Sequence, residues 1–365
     1  MQLRRLSFVW VFSAVLLAAC APPGPAPSSD GSSGVPQPAD KKRIVAGLRG
    51  DPPILGSKLY STVGSSGGPT EIERLMNAGL TIRDDRTELR PILAEAVPTT
   101  ENGAWQVFPD GRMVTTWKIR TGAAWHDGTP FTSADLVFTA KVVMDGELTE
   151  FKDSAFNGID SVQAPDPRTV VVNWKRPFIY ANTIFLLPQP KHLLEETYLQ
   201  SKDAYRSMSY WTDDYVGAGP FKLREFARGD HVTLVANDAF VLGRPRVDEV
   251  EIRFVPNTNS LAAHILAGSI DMTLEQDTMS ADTVAQMLTS GWPGRAVQHM
   301  DDPIGAWPQF MDPSPRVILE APFRRALVHA LDRQLMADNL EYGLSQVPTL
   351  RCGPTTRCSG TPSRA

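Results

Sequence analysis

Cysteine is nearly absent: the 365 residues hold only Cys20, Cys352 and Cys358. A chain with none between residues 21 and 351 is not held together by a disulfide framework, and it avoids wrong pairing in an oxidising compartment. Histidine is sparse too. His126, His192, His231, His264, His299 and His329 stand singly, so no two have zinc-ligand spacing and no metal or cofactor is expected. Basic excess is missing: the net charge is −5, which argues against a nucleic-acid surface. No long apolar run follows the first twenty residues, so no transmembrane helix is expected beyond them. A Walker loop is absent; the glycine-bearing stretch Gly217 to Pro220 has neither the lysine nor the hydroxyl residue that a phosphate loop needs.

The N-terminus is rich in signal. Arg4 and Arg5 precede Leu6 to Leu17, a dozen mostly apolar residues, the length of a secretory core and short for a bilayer span. Leu17-Ala18-Ala19-Cys20 resembles the bacterial lipobox, which implies a signal peptide over 1–20 and a diacylated Cys20. Residues 21–43 are mostly Pro, Ser, Gly and Ala; they cannot bury enough surface to offset chain entropy and read as a flexible tether. More than one acyl chain gives stable attachment.

From Ile44 the pattern is globular. A helix is predicted over Glu71 to Leu80, with Ile72, Leu75, Met76 and Leu80 on one face. Met113 to Arg120 and Thr169 to Trp174 alternate as half-buried strands. Asp127-Gly128 is a turn, and Thr132 with Asp135 is a capping box that opens a helix carrying Leu136 and Phe138, with Gly146 near its end. Further strands are expected at Lys222 to Phe226, His231 to Val235 and Val250 to Phe254. Asn259 is expected to cap a helix ending at Gly268, Ser280 to cap another, and Pro322 to start one that runs to Leu340. Strands mixed with short helices indicate an α/β or α+β architecture.

Several of these segments together resemble the periplasmic peptide-binding family of ABC importers, which includes dipeptide, oligopeptide and nickel binders. They are Trp125-His126-Asp127-Gly128-Thr129-Pro130-Phe131-Thr132 through Asp135 and Phe138, Gly217-Ala218-Gly219-Pro220-Phe221, Arg228-Gly229-Asp230, Asn237, Gly243 with Pro245, Gly268 with Ile270-Asp271, and Arg325-Ala326-Leu327 with Asp332-Arg333. Ala218 replaces the family's usual hydroxyl residue, and Val241 stands where an aromatic is common. The resemblance implies an α/β, two-lobed periplasmic binding protein of the peptide-binding type. Lobe one would be nearly complete over 44–275 and lobe two only begun over 276–350. Residues 351–365 do not resemble the family continuation and read as a frameshifted tail, so Cys352 and Cys358 are expected to be incidental. A chain ending there is expected to fold poorly and bind peptide weakly, with the Pro322 helix stripe left uncovered.

The implied activity is capture, not catalysis: an exported solute-binding lipoprotein, lipid-anchored at the periplasmic or outer face of the cell membrane, that closes two lobes on a peptide and presents it to an ABC permease and its ATPase. Another solute, a nickel chelate or an oligosaccharide, is the alternative within the family, and an exported lipoprotein hydrolase the alternative outside it. His126-Asp127 invites a metal or hydrolase reading, but a shaped turn is the plainer one. Trp211, Tyr215, Trp307 and Phe310 could line a cleft, though packing is the commoner fate of such residues, and no ligand contact is assigned. Metabolic labelling with palmitate is expected to mark the chain and Cys20→Ser to abolish both the label and membrane fractionation; unchanged labelling contradicts the lipobox.

Overall fold

The computed structural model describes residues 41–60, 68–84, 86, 88–274, 279–297, 308–344 and 347. The signal peptide, most of the tether, Cys20, Trp307 and the tail cysteines lie outside the described residues. Arg43, assigned from sequence to the end of the tether, already sits in a strand.

In chain order, β1 (Arg43–Arg49) is followed by α1 (Ser57–Tyr60), α2 (Gly68–Met76), β2 (Thr81–Arg83), β3 (Leu89–Pro91), β4 (Trp105–Val107) and β5 (Met113–Lys118). Helix α3 (Ser133–Val143) leads to β6 (Ile159–Asp166) and β7 (Thr169–Trp174), then α4 (Lys191–Gln200) and α5 (Lys202–Arg206). Strands β8 (Phe221–Ala227), β9 (His231–Ala236) and β10 (Glu249–Val255) precede α6 (Thr258–Leu266), β11 (Met272–Thr273) and α7 (Ala281–Thr289); α8 (Ala321–Ala330) and α9 (Arg333–Leu340) come last.

Two sheets carry the fold. One has five strands in the order β11-β1-β10-β9-β8, with β1 parallel to both β10 and β11. The other has four antiparallel strands in the order β4-β5-β7-β6. The period-two pattern explains how each sheet packs. Ala46, Leu48, Val250, Ile252, Val232 and Leu234 turn one face of the first sheet into a core shared with α2 and the aromatic cluster of Phe151, Tyr205, Tyr210 and Trp211. Met113, Trp117, Val170, Val172 and Trp174 build a second core under the other sheet. The opposite face of the first sheet is divided. Leu261 and Ile265 of α6 cover one part together with Ile270, and Met287 of α7 joins them. The rest carries a ladder of ion pairs, Arg43 with Glu249 and Glu251, Arg224 with Glu249, and Arg253 with Glu251.

Helix α3 lies between the two cores. Phe138 and Val142 enter the first, Leu136 and Ala140 the second. A helix buried on both sides is apolar nearly all round and shows little amphipathic pattern. Its start is as the sequence predicts: a capping box is present, in which the Asp135 carboxylate accepts from the Thr132 N–H at 2.8 Å and its hydroxyl at 3.2 Å. Asp135 is buried and also accepts the Lys191 N–H at 3.0 Å, so one carboxylate ties α3 to the head of α4.

Several boundaries differ from expectation. Helix α2 runs from Gly68 to Met76 instead of from Glu71 to Leu80, because the Met76 carbonyl at its end is taken by the Gly219 N–H of a distant glycine turn. Helix α3 ends at Val143 with Met144 as its cap, before Gly146. Asn257, not Asn259, caps α6: its side-chain oxygen accepts the Ser260 N–H at 2.9 Å. The single helix expected from Pro322 to Leu340 is two. Leu331 is extended, and the Asp332 carboxylate caps α9 by accepting the Leu335 N–H at 2.9 Å. Short polar caps compete with helix continuation in this way. Across α8 and α9 only Ala337 is buried; Leu327, Leu331 and Leu335 are 50%, 53% and 59% exposed. Among the described residues no helix is long and apolar enough to cross a membrane.

Thr132→Ala is expected to lower unfolding free energy by about 0.5–2 kcal/mol. Asp135→Ala also leaves the Lys191 N–H without its acceptor and should lower it by about 2–4 kcal/mol. Urea denaturation followed by tryptophan fluorescence distinguishes the two; equal losses contradict the shared role of Asp135.

Candidate functional site

The two most recognisable sequence segments meet. The His126 N–H donates to the Gly217 carbonyl at 2.8 Å, and the Gly217 N–H donates back to His126 Nδ1 at 3.1 Å. With Nδ1 accepting, Nε2 carries the proton and donates to the Gly219 carbonyl at 3.1 Å. The imidazole is thereby fixed as one neutral tautomer. Burial pushes its pKa down to about 4. Lys222 adds to this by charge repulsion and donates its ammonium to the His126 carbonyl at 2.8 Å. His126 is thus a structural pin, neither a base nor a metal ligand. Asp127 shapes its own turn, accepting the Thr129 N–H at 2.9 Å, and meets His192 Nε2 at 2.7 Å on the surface.

The glycines of this turn answer to α2. The Gly219 N–H donates to the Met76 carbonyl at 2.9 Å, taking one of the carbonyls a helix end leaves open. A Cβ at Gly217 would lie 2.0 Å from the Met76 oxygen, and one at Gly219 2.6 Å from the Met76 carbonyl carbon. Both positions admit only hydrogen. Ala218, the departure from the family pattern, is buried, and its N–H donates to Asn77 Oδ1 at 3.3 Å.

Ligands of open α/β sheets bind outside the carboxyl ends of parallel strands. Here those ends are Arg49-Gly50-Asp51 after β1, Pro256-Asn257 after β10, and Leu274 after β11. The Gly50 N–H donates to the Val255 carbonyl at 3.0 Å and the Leu274 N–H to the Gly47 carbonyl at 3.0 Å, which holds the three exits side by side. The β8–β9 turn comes to the same edge: Phe254 N–H donates to the Asp230 carbonyl at 2.9 Å. A cleft of about 400 Å³ opens here, lined by Asp230, His231, Arg253, Val255, Pro256 and His264 among others. Charges of both signs reach it, each engaged: Arg253 Nε on Glu251 at 2.6 Å and His231 Nδ1 on Asp230 at 2.9 Å. Beside it Arg228 grips Asp213 through both terminal nitrogens, at 3.2 and 2.8 Å.

Two features escaped the sequence reading. Ser269 Oγ lies 2.9 Å from His264 Nδ1, a nucleophile-and-base spacing between residues five apart. Ser269 Oγ also donates to the His264 carbonyl at 3.0 Å, so the pair closes the end of α6, and no described carboxylate orients the ring as a catalytic triad requires. The string Gly64-Ser65-Ser66-Gly67-Gly68 matches the spacing of a hydrolase nucleophile elbow; its first four residues lie outside the described residues. The aromatic candidates part company. Trp211 and Tyr215 are buried in the first core, whereas Phe310 is exposed beneath the Arg324 guanidinium at 5.3 Å. Among the described residues no group of three or more His, Cys, Asp or Glu suits a metal ion.

The family model of bacterial extracellular solute-binding proteins, family 5 (Middle), matches residues 88–350. The chain belongs to this family. Family 5 is a family of solute-binding proteins, not of enzymes. The oligopeptide-binding protein AppA of Bacillus subtilis is 30% identical over 274 residues, covering 74% of this chain and 47% of that protein. The chain thus spans about half the length of that relative. The oligopeptide-binding protein of Thermus thermophilus, solved with a pentapeptide, superposes with a TM-score of 0.63 at 23% identity, covering 84% of this chain and 57% of that one. NikZ of Campylobacter jejuni, solved with Ni(L-His), gives 0.57 at 20% identity, covering 83% and 56%. The fold is therefore shared by proteins solved with different ligands.

Because His126 is held neutral in the fold, the unfolded chain takes up a proton first as pH falls below 6.5, its ordinary value. Stability is then lost between pH 6.5 and 4, by about 3 kcal/mol at the lower end. His126→Gln should remove most of that slope in urea titrations run at a series of pH values; an unchanged slope contradicts the buried neutral ring.

Proposed function

We propose that this chain captures peptides as the solute-binding component of an ABC importer, exported, attached to the membrane through lipid on Cys20, and unloading to a permease driven by an ATPase. The observation that carries the reading is the joining of the family match to the geometry of the cleft. Parallel strands β1, β10 and β11 deliver their carboxyl ends to one edge, and both signs of charge stand there beside exposed main chain. A peptide brings two charged termini and a row of amides, which such an edge can pair without regard to side-chain sequence. Lobe one is taken as 44–275 and the start of lobe two as 276–350. Closure of two lobes would favour whichever state grips the peptide more tightly.

A peptide caught between two surfaces owes its binding to both, and the apolar stripe of α8 and α9 stands in water. Calorimetric or NMR titration with di- to nonapeptides should give saturable, sequence-tolerant binding. Acetylating the amino end or amidating the carboxyl end should weaken it. No saturable response to peptide, or a response to a nickel–histidine chelate alone, would sink peptide capture by this chain.

A further inference from the structure

One carboxylic acid is buried beneath the chain that leaves β1. It is Glu73 of α2, and two distant parts of the chain, at Ser57 and Tyr215, bond its carboxyl. Ser57 donates its N–H to Oε2 at 2.8 Å, and its hydroxyl bonds the same oxygen. The Tyr215 hydroxyl reaches Oε1 at 2.7 Å. The direction of that bond is set one step back. Ala218 N–H donates to Asn77 Oδ1, which leaves the Asn77 amide to donate to the Pro188 carbonyl at 2.9 Å and to the Tyr215 oxygen at 3.3 Å. Tyr215 therefore accepts from Asn77 and gives its own proton to Glu73. A chain of oriented bonds runs from the glycine turn through Asn77 and Tyr215 to Glu73 and ends on Ser57.

Ser57 is the inner end of the strand exit. From Gly50 the chain runs over Pro52 and Pro53, and the Leu55 and Gly56 N–H groups both donate to the Trp211 carbonyl at 2.7 and 3.3 Å. A Cβ at Gly56 would lie 2.6 Å from the Trp211 ring. Trp211 holds this segment at its middle and Glu73 holds it at Ser57. We infer that Glu73 is a positioning residue: its side chain, by carrying or releasing a proton, locks or loosens the Asp51–Tyr60 segment, which leaves the carboxyl end of β1 with Asp51 Oδ2 3.9 Å from where a Cβ at Gly229 of the β8–β9 turn would lie. The consequence for capture rests on the peptide-binding reading; the latch itself does not.

The chemistry supplies the sign. Three of the bonds to Glu73 survive protonation, because Oε2–H can donate to the Ser57 hydroxyl while Oε1 still accepts from Tyr215 and Oε2 from the Ser57 N–H. Burial disfavours the charged form. It raises the carboxyl above its ordinary 4.5, against the bonds from Ser57 and Tyr215 and the charge of Lys58, which pull it down. The other titratable groups that feel Glu73 are Tyr205, Tyr210 and Tyr215, all neutral phenols whose pKa values rise well above the ordinary tyrosine range. The native state thus holds the proton to a higher pH than the unfolded chain does. Stability contributed by the locked form is present below about pH 4.5 and falls as pH rises toward the native value. A charged Glu73 seeks water, and just past buried Ser57 the segment becomes half-buried at Lys58, Leu59 and Tyr60.

Amide hydrogen exchange on the peptide-free chain tests this between pH 5 and 8, where His126 stays neutral. Corrected for intrinsic rate, exchange at Ser57 and Leu59 should rise about tenfold for each unit by which the carboxyl is pushed up, and should be flat in Glu73→Gln. Tyr215→Phe removes a donor to the charged form and should move the onset to higher pH. The wild-type Glu73 carboxyl ¹³C shift needs no variant: a midpoint above 4.5 is expected, and one at or below it overturns the latch, as does the same pH profile in wild type and Glu73→Gln. Peptide titration on the same sample separates the two readings. Glu73-dependent exchange without peptide binding keeps the latch and loses peptide capture; flat exchange with peptide bound does the reverse.

Discussion

A close contact between backbones organises this structure. Gly217 and Gly219 lie against the carbonyl end of α2 with no room for a methyl group, and everything nearby is placed by that approach. The helix finds a donor for its open Met76 carbonyl. Asn77 finds the Ala218 N–H, and His126 closes over the other side of the same turn. Because α2 packs into the first core and the His126 segment leads through Phe131 into the second, the glycine turn is where two cores are set against each other. Side-chain packing alone would leave that junction adjustable, since apolar contacts have no direction. Oriented hydrogen bonds to a backbone that cannot retreat remove the freedom.

Strands with strict alternation were legible from sequence. Thr169 to Trp174, His231 to Val235 and Val250 to Phe254 each fall within a residue or two of their place, because a two-residue period set by one buried face admits a single register. The cap of α3 was legible for a different reason: Thr132 and Asp135 make a local bond that needs no distant partner. The end of α2 was not, since what stops the helix at Met76 is a turn some 140 residues later. The break between α8 and α9 was missed because Leu331 continues the apolar stripe, and only the side chain of Asp332 tells against it.

The candidate site was less legible than the fold. Motifs containing His126, Gly217, Arg228, Asn237 and Asp271 were visible, yet in space they mostly hold the scaffold. Asn237 donates to the Gly219 carbonyl at 3.0 Å, and Asp271 accepts the Val45 N–H at 2.7 Å at the sheet edge. The cleft-lining residues Arg253, His231 and His264 carry no local signal, since each looks like an ordinary polar residue on a strand or helix until the fold brings their elements to one edge. Glu73 reads as a solvated helix charge for the same reason: nothing near it in sequence announces that Ser57, Asn77 and Tyr215 will enclose it.

The position of β1 between β11 and β10, inside its sheet, sets a schedule. Its hydrogen-bonding neighbours are β10 and β11, and the bond from Lys42 to Asp248 already spans 206 positions. Until Val255 exists, the first strand of the domain has no ladder to join, however early it emerges. Contacts of such separation close slowly, because the loop entropy must be met before any pairing rewards it. The β8–β9 hairpin can form while β1 waits, and the sheet is completed only when the earliest strand slots in beside the latest. A sheet that takes in its earliest strand last stays open through most of the domain's synthesis, while the second sheet, finished at Trp174, has every strand it needs.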